Sequence, residues 1–178
     1  MSSRKPGVLR VRSFPPIENA RARVLILGSM PGGASLRAGQ YYAHPQNLFW
    51  RIMGDLLGIE PGLTYAAGVS LLKSNGIALW DVLESCAREG SLDSAIEEAT
   101  IVVNDFASFY PTHPRIARVF FNGAKAEASY RRYVLGARCA VLPALRYARL
   151  PSTSPAHAAL SFEQKRDAWK AVVEPAGT

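Results

Sequence analysis

The chain has 178 residues, 48% of them hydrophobic and 20% charged. That suits one domain able to bury roughly 70% of its unfolded surface. With 21 Lys and Arg against 14 Asp and Glu it carries a net charge of +7, a balance that favours a polyanionic partner. Its only cysteines, Cys86 and Cys139, cannot make a zinc or iron–sulfur spacing, no run approaches a membrane span, and the opening MSSRKPGVLRVRSF lacks a signal-peptide core. The expectation is a soluble protein with free thiols in a reducing cytoplasm, with no membrane partner and no metal.

Residues 1–20 are expected to form a basic N-terminal arm. Arg4, Lys5, Arg10 and Arg12 are available there to phosphate, and Pro6, Pro15 and Pro16 oppose regular structure. Residues 21–178 then form a single domain. The apolar run Val24-Leu25-Ile26-Leu27, ending at Gly28, predicts a fully buried strand of a parallel sheet. Leu48, Ile52, Leu56 and Leu57 recur at helical spacing up to Gly58, and 64–74 predicts a second helix closed by Asn75-Gly76. A second strand is expected over 77–82 and a short helix over 91–99, while 101–103 is ambiguous. Asn104 or Asp105 is placed to cap a helix running through Tyr110 and ended by Pro111 and Pro114. The run IARVFF over 116–121 predicts a third strand, 124–135 a helix, and 139–150 a fourth strand. Ser161 and Gln164 have the spacing of a capping box that opens a last helix to about residue 173.

Strands alternating with helices predict a parallel sheet with helices on both faces. Ligands of such sheets bind outside the carboxyl ends of the strands. The loops after Gly28, near Trp80-Asp81 and at Pro151–His157 should therefore meet at one edge. The first of them, GSMPGGAS, has a glycine at each end of a six-residue span but lacks the lysine of a nucleotide-binding loop, and G-x-G-x-x-G is absent. No nucleotide cofactor is expected.

Taken with YYAHPQNLFW, the segment from Val24 to Trp50 resembles the first motif of the uracil-DNA glycosylase superfamily, and LPSTSPAH resembles its second. The likeness is greatest to the hypoxanthine-DNA (DNA-deoxyinosine) glycosylase branch, with its GSMPG, its YYAHP-x-N-x-FW and its STSPA-type loop. The resemblance implies a three-layer α/β/α sandwich around a central four-stranded parallel sheet. It also implies hydrolysis of the N-glycosidic bond of a flipped-out, deaminated nucleotide in DNA, in base excision repair, leaving an abasic site. No cofactor takes part, and the protein is expected to act as a monomer. The physics of the reaction agrees. The base must be extruded from the stack, and its departure builds positive charge on the sugar and negative charge on the base.

Met30 stands where most of the superfamily has a water-positioning Asn or Asp, and a thioether cannot orient water. The resemblance therefore passes that task to Asn47, whose other reading is a helix cap. Tyr42 aligns with the aromatic on which the base stacks, against an ordinary core tyrosine. Trp80 and Asp81 fall near the residue that reads the base edge. Asp81 would accept from hypoxanthine N1–H or take the proton of water, and Asn122 would reach O6. A helix cap for Asp81 and a turn former for Asn122 are the alternatives. Ser152 matches the residue that grips the leaving base or water, and Ser154 the one that grips phosphate. His157 would stabilise the leaving base where Ala156 replaces a wedging leucine. DNA contacts are further expected at Ser29, His44, Thr153 and Lys125, the last equally suited to a solvated helix face.

Three readings remain open on the sequence: removal of hypoxanthine, removal of uracil from mismatches, and DNA binding without catalysis. A small-molecule α/β enzyme comes last, since no nucleophile elbow or cofactor fingerprint is present.

Overall fold

The computed structural model describes residues 8–59, 61–136 and 142–175. In chain order its elements are β1 (Arg10–Arg12), β2 (Val24–Gly28), α1 (Gly33–Ala38), α2 (Phe49–Leu56), α3 (Tyr65–Ser74), β3 (Ile77–Asp81), β4 (Leu83–Ala87), β5 (Val102–Val103), α4 (Phe106–Thr112), β6 (Arg118–Asn122), α5 (Ala124–Ser129), β7 (Arg146–Leu150) and α6 (Phe162–Trp169). Four strands form a parallel sheet in the order β3-β2-β6-β7. The expected fourth strand is β7, and Cys139 lies outside the described residues. Among the described residues no helix is long and apolar enough to cross a membrane.

Strand alternation divides the core into two layers. Leu25, Leu27, Ala78, Trp80, Val119 and Phe121 face α4 and α5. Val24, Ile26, Ile77, Leu79 and Phe120 face α2, α3 and α6, where Phe49, Ile52, Met53, Leu72 and Trp169 cover them. Each such fully buried side chain contributes on the order of 1.5–3 kcal/mol. Two helix starts follow the expected chemistry. Thr64 caps α3 by accepting from the Ala67 amide, and the Ser161–Gln164 box opens α6.

Four elements differ from expectation, each for a tertiary reason. The proline-containing stretch before residue 20 carries β1, which pairs antiparallel with β4 and, through it, with β5. Ile17 also exchanges both backbone hydrogen bonds with Leu79 on the edge of the main sheet. The LESCA strand β4 was not expected. Residues 91–99 form no helix but two short turns, Asp93–Ala95 and Glu98–Thr100, because their side chains are engaged elsewhere. Helix α4 runs through Pro111 to Thr112; burial of Phe106, Phe109 and Tyr110 outweighs the missing amide, a loss of about 3 kcal/mol in a helix interior. Beyond α5 the chain widens into a π-helix over Tyr130–Leu135, where the Tyr130 hydroxyl meets that of Tyr110 at 2.7 Å.

The register sets Gly28 beside Asp81 and Asn122 beside Leu150, so the ends of β2, β3, β6 and β7 share one edge. The sites predicted from sequence at three of these ends are neighbours in space.

Candidate active site

A cavity of about 480 Å³ opens above that edge, within the range of small-ligand clefts. Its walls come from the loop after β2, the Tyr41–Asn47 turn, the ends of β3 and β6, the Ser91–Ser94 segment and the loop after β7. It brings together Ser29, Met30, Tyr42, His44, Asn47, Asp81, Asn122, Ser152, Thr153, Ser154, Ala156 and His157.

The floor is the tightest part. A Cβ on Gly28 would stand 2.5 Å from Asp81 Oδ1 and 2.8 Å from the Tyr42 hydroxyl, so only glycine lets both side chains close over the end of β2. Tyr42 has a left-handed backbone (φ 55°), the one such non-glycine residue among those described, a strain of roughly 1–2 kcal/mol. That backbone holds its ring between the cavity and Phe49, with centroids 4.4 Å apart and planes inclined by 30°. The ring is partly exposed while its hydroxyl is buried without a hydrogen-bond partner. Burial first, and the nearby Asp81 charge second, push the Tyr42 phenol well above its ordinary range. Tyr41, by contrast, is a core residue whose hydroxyl donates to the carbonyls of the Phe14–Pro15 segment.

Asp81 is 2% exposed and its Oδ2 has no partner. Burial, reinforced by the Asp93 charge and opposed by Arg88, raises its carboxyl to about 8. Asp93 lines the same cavity; its Oδ1 accepts from Ser29 Oγ at 2.8 Å, and burial raises its carboxyl as well. Arg88, also 2% exposed, ties the two flanking loops by donating to the carbonyls of Pro31 and Gly90. Ser91 Oγ accepts from the Gly33 amide at 2.8 Å. Sequence reading missed Arg88, Ser91 and Asp93. The one local signal for this segment is the Gly90-Ser91 pair, which favours a turn.

Asn47 stands at the cavity wall, at the entry to α2. Its Oδ1 accepts from the Phe49 amide at 3.0 Å, a cap on the entry to α2, and this bond fixes the amide at the cavity wall. The second lone pair of Oδ1 and the Nδ2 hydrogens remain for a ligand or water. His44, exposed, accepts from the Gln46 amide through Nδ1. Asn122 is a latch: Oδ1 accepts from the Thr153 amide and Nδ2 donates to Thr153 Oγ1, both at 2.9 Å. These bonds, with one from the Leu48 amide to the Thr153 carbonyl, seat the loop after β7 against α2.

That loop folds on its own hydroxyls. Ser152 Oγ accepts from the Ser154 amide and Ser154 Oγ from the Ala156 amide, each at 3.2 Å. Helix α6 holds it from behind, Trp169 Nε1 donating to the Pro151 carbonyl and Lys165 Nζ to that of His157.

Two expected contacts are elsewhere. Alternation along β3 sends Asp81 to the cavity and Trp80 to the opposite layer, where it packs on Phe106 and Phe109 and donates from Nε1 to the Phe14 carbonyl. Lys125 is ion-paired with Glu98 outside the cavity. Among the described residues no cluster of potential metal ligands occurs.

Residues 15–174 match the family model of the uracil DNA glycosylase superfamily. A protein of Methanosarcina barkeri named hypoxanthine DNA glycosylase is 39% identical over 119 residues, 66% of this chain and 74% of its own length. One of Methanosarcina acetivorans with the same name is 40% identical over 116 residues, covering 65% and 72%. A candidate uracil DNA glycosylase from Methanosarcina acetivorans, solved by NMR, superposes with a TM-score of 0.76 at 34% identity over 93% of this chain and 97% of that one.

Proposed function

From the premise that the chain belongs to the uracil DNA glycosylase superfamily and is a hydrolase of N-glycosyl bonds, we propose that it excises hypoxanthine from deoxyinosine in DNA. The observation that carries this reading is the cavity floor. One partly exposed aromatic face, Tyr42, lies beside a buried carboxyl, Asp81, whose Oδ2 no protein group satisfies. An unpartnered buried polar atom costs about 1–3 kcal/mol, and a turn of the carboxyl that brings Oδ2 to the cavity lets a ligand hydrogen bond recover that loss. A flipped hypoxanthine offers both the flat face and the polar edge.

In this reading the extruded base stacks on Tyr42. Asn47 positions water against the sugar carbon as the glycosidic bond opens. An amide suffices there, because water attacking a nearly formed cation needs orientation more than a base. Ser152 and His157 face the leaving base from the loop after β7, while Ser29, His44, Thr153, Ser154 and Ala156 meet the DNA backbone around the lesion. The protein works as a monomer in the cytoplasm without metal or nucleotide cofactor.

Duplexes carrying deoxyinosine, deoxyuridine or deoxyxanthosine test this directly. Free hypoxanthine and an alkali-labile abasic site are expected from the first. Uracil release alone would make the protein a mismatch-type uracil enzyme, and lesion binding without base release a non-catalytic relative.

A further inference from the structure

Two carboxyls, Asp81 and Asp93, line the cavity, and the buried Arg88 guanidinium, outside the lining, donates to the Pro31 and Gly90 carbonyls and leaves Nη1 unpartnered. Asp81 Oδ2 is likewise unpartnered and out of contact with solvent. With both carboxyls ionised, this buried cluster would hold two negative charges against one positive, a costly arrangement that a single retained proton relieves.

We propose that Asp81 and Asp93 hold one proton between them, that it resides on Asp81, and that Asp81 donates it to the acceptor edge of the departing purine. Asp93 and Arg88 act as positioning residues that set where the proton sits. The inference rests on the hypoxanthine reading above. The two acids are separated by their surroundings. Asp93 has a neutral donor, Ser29 Oγ, on its Oδ1 and so is the better anion, whereas Asp81 Oδ2 has none. The direction of both carboxyl shifts agrees: burial raises each, the Asp93 charge raises Asp81 further, and Arg88 lowers both.

The other titratable side chains lining the cavity are Tyr41, Tyr42, His44 and His157; burial keeps the two tyrosines as neutral phenols. Lys125 acts on Asp93 from outside the pocket. In the step itself the C1′–N9 bond breaks with its electron pair going to the base, and water oxygen bonds to C1′. The base takes the Asp81 proton, and the proton lost by water restores the carboxyl pair. No group outside the site is consumed.

The test is the pH dependence of single-turnover hypoxanthine release from saturating deoxyinosine duplex, for the native protein, Asp93→Asn and Asp81→Asn. Native turnover is expected to fall as pH rises through about 8, the value to which Asp81 is pushed. Removing the Asp93 charge makes Asp81 easier to ionise, so in Asp93→Asn that fall moves to lower pH, by on the order of one unit. Asp81→Asn keeps an N–H donor without a titrating group and loses the enzyme's share of the alkaline fall. The base's own N1–H titration is read from the Asp81→Asn profile, in which the enzyme's acid is absent. Infrared difference spectra of native protein against Asp81→Asn provide a readout independent of turnover: a protonated-carboxyl band at neutral pH that disappears in alkali. Native turnover rising through this range, an alkaline limb unmoved in Asp93→Asn, or no such band would overturn the proton assignment. Absence of hypoxanthine release at every pH would instead overturn the substrate reading beneath it.

Discussion

The floor and the rim of the cavity solve opposite problems with the same kinds of side chain. On the rim, the hydroxyls of Ser152 and Ser154 and the amide of Asn122 are matched to groups of the loop itself. On the floor, the Tyr42 hydroxyl and Asp81 Oδ2 are buried and unmatched, and the Tyr42 backbone is strained. A satisfied loop is rigid before anything binds. An unsatisfied floor is a standing deficit that the protein tolerates where a ligand repays it. The difference separates groups that shape the opening from groups left unmatched for a ligand.

The sharpest way to break this contrast is Asn47→Ala. Loss of the positioned water should lower turnover about a hundredfold or more while lesion-duplex affinity stays near native. Single-turnover kinetics beside a binding titration check it, and surviving turnover would move the water to another residue. Next comes Gly28→Ala, which drives a methyl into Asp81 and Tyr42. Overpacking here should cost about 1–3 kcal/mol in chemical denaturation and abolish most turnover, because the floor must open to admit the methyl. Asn122→Ala probes the rim. Losing both Thr153 bonds should cost roughly 1–3 kcal/mol of stability and weaken DNA binding more than it slows the bound reaction. Lys125→Ala should do least. Its partner Glu98 lies on the surface, so the unfolding free energy should change by no more than about 0.5 kcal/mol in chemical denaturation, with turnover unchanged. A salt dependence of binding that flattens in this variant would restore Lys125 to the DNA contacts.

What could be read from the sequence was what is local in the chain. Gly28 at the end of the strand 24–28, the glycine loop, Tyr42, Asn47 and the serine loop lie in two continuous segments with unusual letters, and they line one cavity. That the strands run parallel followed from their alternation with helices, whereas their order β3-β2-β6-β7 in the sheet did not. Trp80 went astray by one position: adjacent residues of a strand face opposite layers, so only one of Trp80 and Asp81 could enter the site. Arg88 and Asp93 were invisible because their roles are set by partners 57 and 64 residues away, at Pro31 and Ser29. No periodicity or propensity records such a pairing. The same long-range bonds explain why 91–99 is not the helix its composition favours.

The tether from α6 to the rim has a consequence for how the molecule ages. Trp169 and Lys165 hold the backbone of Pro151 and His157, yet α6 contributes no strand to the sheet. Fraying or proteolytic clipping near the carboxyl end would therefore loosen the grip on the double helix first, leaving a β-core that looks intact by circular dichroism. In a stored preparation, falling affinity ahead of any spectroscopic change would be the early sign of damage.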